Sequence, residues 1–303
     1  MRRVENLIDP VRQLSQNTRY DNNTGIPQSV MAYYLNCGQD ELTKALVNAK
    51  MKFLQKQEVV TVVNGQQEYS YPHDIFLQNI DTIQWTQNNG VDFVNLEKGF
   101  TKYKNNTQNA YAYGYYTTNS GYILTPPVES GQLYVNYMRK LPRLATRSGT
   151  ISAVTINGSN QVTALTVSTT GSYNATEIAT DNYLCVVDYL GNIKAKSIQY
   201  SAEAAGVFTI VPTTLTSGET AAIGDYIVIG KYATNMPELP DICEGFLIKY
   251  AYFQAKYGDA SQWSKAVAED ASLTLSTLVQ SFNASSDDVS RIMLTNWDAL
   301  SLW

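Results

Sequence analysis

The sequence predicts an α+β fold: a helical bundle of N-terminal helices and a C-terminal helix pair, with a small antiparallel sheet and an inserted all-β domain. Three observations predict it. Apolar residues recur at helical steps toward both ends of the 303-residue chain. From Val59 the period changes to that of strands, with turn signals between runs. Between Gly149 and Thr234 charges become scarce, and short apolar runs alternate with Thr, Ser, Ala and Gly. The expected division is residues 1–148 with 235–303 as the host domain, and 149–234 as the insertion.

At the N-terminal end, Val4, Leu7, Ile8, Val11 and Leu14 share one face of a short helix over 3–16. Polar residues 18–25 read as a loop, and Pro27 suits the first turn of a second helix. There Val30, Tyr34, Cys37, Leu42, Leu46, Ala49 and Phe53 keep helical steps as far as Gln57. Gly38 either splits this stretch or sits inside one long, kinked helix at a cost of about 1 kcal/mol; the continuous pattern favours one helix.

Residues 59–63 and 67–71 then read as the arms of a hairpin, because Asn64-Gly65 between them accepts the positive φ of a tight turn. Strands follow at 80–86, 122–124 and 133–138, and Pro126-Pro127 breaks the chain between the last two. Residues 88–120 are polar, rich in Asn and Tyr, and read as a connection.

In the β-rich block, strands are expected at 151–156, 162–168, 183–188, 193–200, 207–211 and 225–232, with turns at Asn157-Gly158 and Gly191-Asn192. Such a series suggests a small sandwich or barrel. Insertion of a module is tolerated where its two ends meet at a surface.

The C-terminal pair carries the strongest pattern. Leu239, Cys243, Phe246, Tyr250, Phe253 and Tyr257 form one apolar face. After a break at Gly258-Asp259, so do Trp263, Val267, Ala271, Leu275, Leu278 and Phe282. Such faces need cover, from each other or from the N-terminal helices. Phe246, Tyr250, Phe253, Trp263, Leu275 and Leu278 are therefore the expected packing residues. Residues 285–288 can cap a short helix over 289–294. Beyond it Trp297, Leu300, Leu302 and Trp303 make an apolar end where chain ends are normally polar. They either fold back on their own subunit or anchor in a partner, since Trp is enriched at interface hot spots.

Chemistry is less legible. Charged residues are 16% of the chain and the net charge of −5 is uneven: residues 1–149 carry 15 Lys and Arg against 12 Asp and Glu, residues 237–303 carry 4 against 9. The acidic end either follows solvated faces or meets a basic partner. No basic stripe marks sequence-specific DNA binding. Cys37, Cys185 and Cys243 lie far apart among apolar residues, as small buried hydrophobes do. No apolar run is long enough for a membrane span, and the first ten residues are too polar for a signal peptide. His73 is the sole histidine and reads as a turn residue. Adjacent carboxylates such as Glu269-Asp270 point to different helix faces. A phosphate-binding glycine loop and a nucleophile elbow are missing from the sequence. No catalytic residue, cofactor or metal site is predicted.

Several of these stretches, in their order, resemble the phage head-to-tail connector family, the adaptor or ring proteins beneath the portal. They are Tyr34-Leu35-Asn36; Tyr69-Ser70-Tyr71-Pro72-His73-Asp74, similar to that family's Tyr-x-Leu-Pro-x-Asp with Tyr71 in place of Leu; the run from Gly121 to Pro127; Leu133 to Tyr137 with Leu141-Pro142; and Pro237-Glu238-Leu239-Pro240 before the aromatic helix. The likeness covers residues 1–145 and 235–282 and leaves the β-rich block outside it. It implies a non-enzymatic virion protein of the tail or neck, synthesised in the host bacterial cytoplasm. Its subunits form a closed dodecameric ring between the portal and tail or nozzle proteins. Double-stranded DNA crosses the lumen unread, and no membrane or cofactor takes part. The C-terminal tail docks into the portal, which gives Trp297, Leu300, Leu302 and Trp303 that role. Two other readings remain. One is a glycan-binding or cell-wall-degrading virion protein using the Tyr-rich run 111–116 and the β-rich block. The other is a capsid or tail decoration protein.

Overall fold

The computed structural model describes residues 2–16, 26–49, 51–87, 90–99, 114–125, 128, 130–159, 161–168, 182–212, 221–258 and 260–284. Two compact units result: residues 1–45 with 141–303, and residues 46–140.

In the first unit, α1 (Val4–Gln16) buries Val4, Leu7, Ile8 and Val11 on one face. That face packs on α3 (Glu244–Tyr257). Helix α2 (Gln28–Asn48) buries Met31, Leu35 and Leu42. A fourth helix, α4 (Lys265–Ala284), lies beside α3. The chain goes toward the β-rich block through β8 (Arg143–Leu144) and returns from it to the helices through β15 (Ala233–Thr234), and the two pair in parallel.

Between these two short strands lies a closed barrel of six. In chain order the strands are β9 (Gly149–Ile156), β10 (Val162–Ser168), β11 (Tyr183–Val187), β12 (Ile193–Ala204), β13 (Val207–Ile210) and β14 (Tyr226–Ile229). They close in the order β10-β13-β12-β11-β14-β9. Ile151, Leu165, Leu184, Ile198, Phe208 and Ile227 fill the interior, with Tyr200 edge-on to Phe208 at 5.2 Å. Closure satisfies every edge, which is why a barrel and not a sandwich forms from strands this short. At the first expected turn, the Asn157 side chain accepts from the Ser159 and Gln161 amides; at the second, Gly191 has φ +96°.

The second unit is one sheet: β1 (Gln55–Val62), β2 (Glu68–Ser70), β3 (Ile75–Thr86), β4 (Val94–Lys98), β5 (Gly114–Thr117), β6 (Gly121–Thr125) and β7 (Gly131–Arg139). Its order is β1-β7-β3-β4-β5-β6-β2. The Asn64-Gly65 turn is present, with Gly65 at φ +82° and the Gln66 amide on the Val63 carbonyl. The strands it joins do not form a hairpin: β1 pairs with β7 and β2 with β6, at opposite edges. Residues 63–67 can bridge at most about 20 Å, whereas the edges of a flat sheet of this width lie about 29 Å apart. The sheet therefore curls, and one core takes Val62 from one edge and Tyr69 from the other, together with Ile83, Trp85, Tyr122 and Tyr137.

The fold class expected from the sequence is corrected accordingly. The protein is mostly β, a closed barrel and a curled seven-stranded sheet, with four α-helices among the described residues and no helical bundle. Three local causes account for this. Helix α2 stops at Asn48, and the chain from Gln55 is strand, so the helical pattern read as far as Gln57 overran. Strands β4 and β5 lie inside the polar segment read as a connection: β4 buries only Leu96, and β5 is four residues long with Tyr115 and Tyr116 both buried, so neither shows the alternation of a strand. Helix α4 buries only Ala271 and Leu278 along its described side chains, too narrow a stripe for a bundle member.

Candidate interaction surface

Helix α3 begins after the Asp241–Cys243 turn and points Phe246, Tyr250 and Phe253 inward, all three buried. Gly258 ends it at φ +81°, its amide on the Gln254 carbonyl and its own carbonyl accepting from Trp263 Nε1 at 3.0 Å. The chain thus doubles back, and the Trp263 ring meets Tyr250 at 5.0 Å and Phe253 at 5.6 Å, both edge-on. Phe246 joins through Tyr250 at 5.7 Å. On α4, Leu278 is buried and Leu275 half-buried, while Leu273 is 67% exposed. Lys249 ties the two helices through Asp270 at 2.7 Å. Trp297, Leu300, Leu302 and Trp303, the expected docking residues, lie outside the described residues, as do the expected helix at 289–294 and the Tyr111–Tyr113 part of the Tyr-rich run.

Gly38 has a role that the sequence left open. A Cβ there would stand 3.2 Å from the Tyr250 side chain, so the glycine lets α2 cross close to α3. A glycine within an apolar helical pattern is the signal that could have found this crossing.

Polar side chains fix the base of the barrel. Asn36, on α2, donates to the Leu144 carbonyl and accepts from the Leu144 amide, each at 2.8 Å. Glu5, on α1, accepts from the Arg147 amide at 2.8 Å and from Asn235 Nδ2 at 2.9 Å. Arg147 also lies over the Tyr226 ring at 4.3 Å, and Arg3 over Tyr189 at 4.7 Å. Asn36 is a polar residue among Tyr34, Leu35 and Cys37; sequence reasoning quoted it but gave it no task. The Cys243 thiol is pushed up to about 12, chiefly by burial, so it behaves as an inert hydrophobe.

In the second unit Asp74 accepts from Lys56 Nζ at 2.7 Å and from the Tyr137 hydroxyl at 2.5 Å. Burial pushes its carboxyl up, but the bonds from Lys56 and Tyr137 outweigh that and hold it below the usual range. Burial first, and then the bond to Asp74, push Tyr137 well above an ordinary phenol. The Tyr-Pro-His-Asp stretch is thus a turn locked to the sheet.

The outer face of the same sheet carries three cross-strand rows. Gln57, Asn136 and Thr82 make the first, linked by two side-chain hydrogen bonds of 2.9 Å. Val59, Tyr134, Gln84 and Asn95 make the second, with Gln84 donating to Asn95 at 2.9 Å. Thr61, Gln132 and Thr86 make the third. Phe93 stands edge-on to Tyr134 at 5.2 Å.

Among the described residues no helix is long and apolar enough to cross a membrane. No curated protein matches the chain. The profile of the SU10 adaptor protein family matches residues 2–165, from α1 into β10 and more than half of the chain. The chain therefore belongs to the SU10 adaptor protein family, a family of phage adaptors, and is a structural component of a phage particle.

Proposed function

We propose that copies of this chain close into a ring that joins the portal of a tailed phage to its tail or nozzle proteins, with double-stranded DNA passing through the lumen unread. The observation that carries this reading is the family match over residues 2–165. A closed ring needs heterologous contacts, one face of each subunit on a different face of the next. Helix α4, with Leu273 and most of its described length exposed, offers one such surface. The apolar tail with Trp297, Leu300, Leu302 and Trp303 is the anchor in the portal. The role is mechanical and needs neither catalysis nor a cofactor. A dodecameric ring matches the resemblance in sequence, and synthesis takes place in the host bacterial cytoplasm.

The experiment is to mix the purified chain with its purified portal and examine the product by native mass spectrometry and negative-stain microscopy. A ring of this chain seated on the portal is the expected result. A chain that stays monomeric and leaves the portal bare would overturn the proposal.

A further inference from the structure

The three rows on the outer face of β1, β7, β3 and β4 hold ten side chains, none of them charged, and all but the buried Thr86 reach the surface. Solvated sheet faces normally carry Lys and Glu. Here the charges are two carboxylates at one end: Glu97 follows Asn95 by two positions on β4 and so shares this face, and Asp81 accepts from Gln55 Nε2 at 3.5 Å. The amides are not loose: Gln57, Asn136 and Thr82 are bonded in series, and Gln84 is bonded to Asn95. Each amide has two N–H groups and a carbonyl with two lone pairs, so the single lateral bonds of Gln57, Gln84 and Asn95 and the two of Asn136 leave donors and acceptors for a ligand. Phe93 is 46% exposed and the half-buried Tyr134 stands against it, which adds an aromatic platform beside the amides.

We propose that this face binds a neutral glycan, the C–H faces of its sugar rings stacking on Tyr134 and Phe93 and its hydroxyls bonding to the amides of Gln57, Gln84, Asn95 and Asn136. Ten uncharged side chains offer an anionic ligand no cation, and the carboxylates of Glu97 and Asp81 at one end repel it, which favours an uncharged one. Fixed amides beside an aromatic ring match the alternation of apolar faces and hydroxyl edges on a sugar chain. The size of the face argues against a second copy of the chain. Three strand spacings by two residue repeats give about 200–300 Å², against about 800 Å² per partner in a stable protein interface. A short run of sugar rings fits that area. This inference stands apart from the ring reading.

The full chain is applied to an array of neutral bacterial surface polysaccharides and of cello-, chito- and malto-oligosaccharides, and hits are titrated by calorimetry. Tyr134→Ala removes the platform. Gln57→Glu adds a charge at an exposed edge position and keeps the test valid should Tyr134→Ala unfold. At least one glycan binds the natural chain, and the folded variants bind it about tenfold more weakly. The proposal is overturned if nothing on the array binds. It is also overturned if binding is equal in the variants, or if sedimentation shows that they alter only self-association.

Discussion

Asn36 grips the backbone of Leu144 with both halves of its amide, Nδ2 on the carbonyl and Oδ1 on the N–H, each at 2.8 Å. It holds the chain where it enters β8, next to the returning β15. Asn36→Ala leaves two part-buried backbone groups without these partners. It should cost about 1–3 kcal/mol, read as a lower urea midpoint with an unchanged slope.

Gly38→Leu should destabilise the protein by about 1–3 kcal/mol, because a side chain there meets the Tyr250 ring and forces overpacking. A helix-propensity account predicts the opposite sign, since glycine is the poorer helix former. Thermal melts of the variant distinguish the two.

Asp74 makes stability depend on acid pH. Its folded pKa is lowered from 3.8, so its contribution is present above that value and is lost as the pH falls through the lower, folded one. Asp74→Asn should flatten the acid arm of the urea midpoint plotted against pH. Tyr137, whose pKa is raised, gives the mirror effect: its contribution is lost as the pH rises past the ordinary phenol range. Tyr137→Phe should remove that alkaline loss.

The barrel should be removable. The parallel pairing of β8 with β15 sets its two stems side by side, about 4.8 Å apart, so a short Gly/Ser linker can replace residues 149–229. The shortened chain should stay monodisperse with a cooperative melt. Aggregation would show that the barrel strands are needed by the rest of the fold.

Deleting residues 296–303 should leave circular dichroism and melting unchanged and abolish joining to the portal in the mixing experiment. Normal joining by the truncated chain would sink the anchor role of Trp297, Leu300, Leu302 and Trp303.

Much of the local structure was legible. The expected barrel strands match β9 to β14 to within a few residues, because short apolar runs between turn signals specify strands. The aromatic positions 246, 250 and 253 were legible because a four-three step lines one helix face. The neutral sheet face was not legible. Its residues come from β1, β3, β4 and β7, and only the strand register sets them in rows.

The sequence by itself determined where elements start and which of their faces are apolar, since both follow from spacing and turn chemistry within a few residues. Only the tertiary structure decided what those elements pair with. Asn64-Gly65 makes the same turn whether its arms join each other or go to opposite edges, because backbone hydrogen bonds are alike for any strand partner. The apolar pattern of α4 likewise says that a face is oily, not that a neighbour covers it. That depends on the position of α3, fixed in turn by Gly38, Gly258 and Trp263.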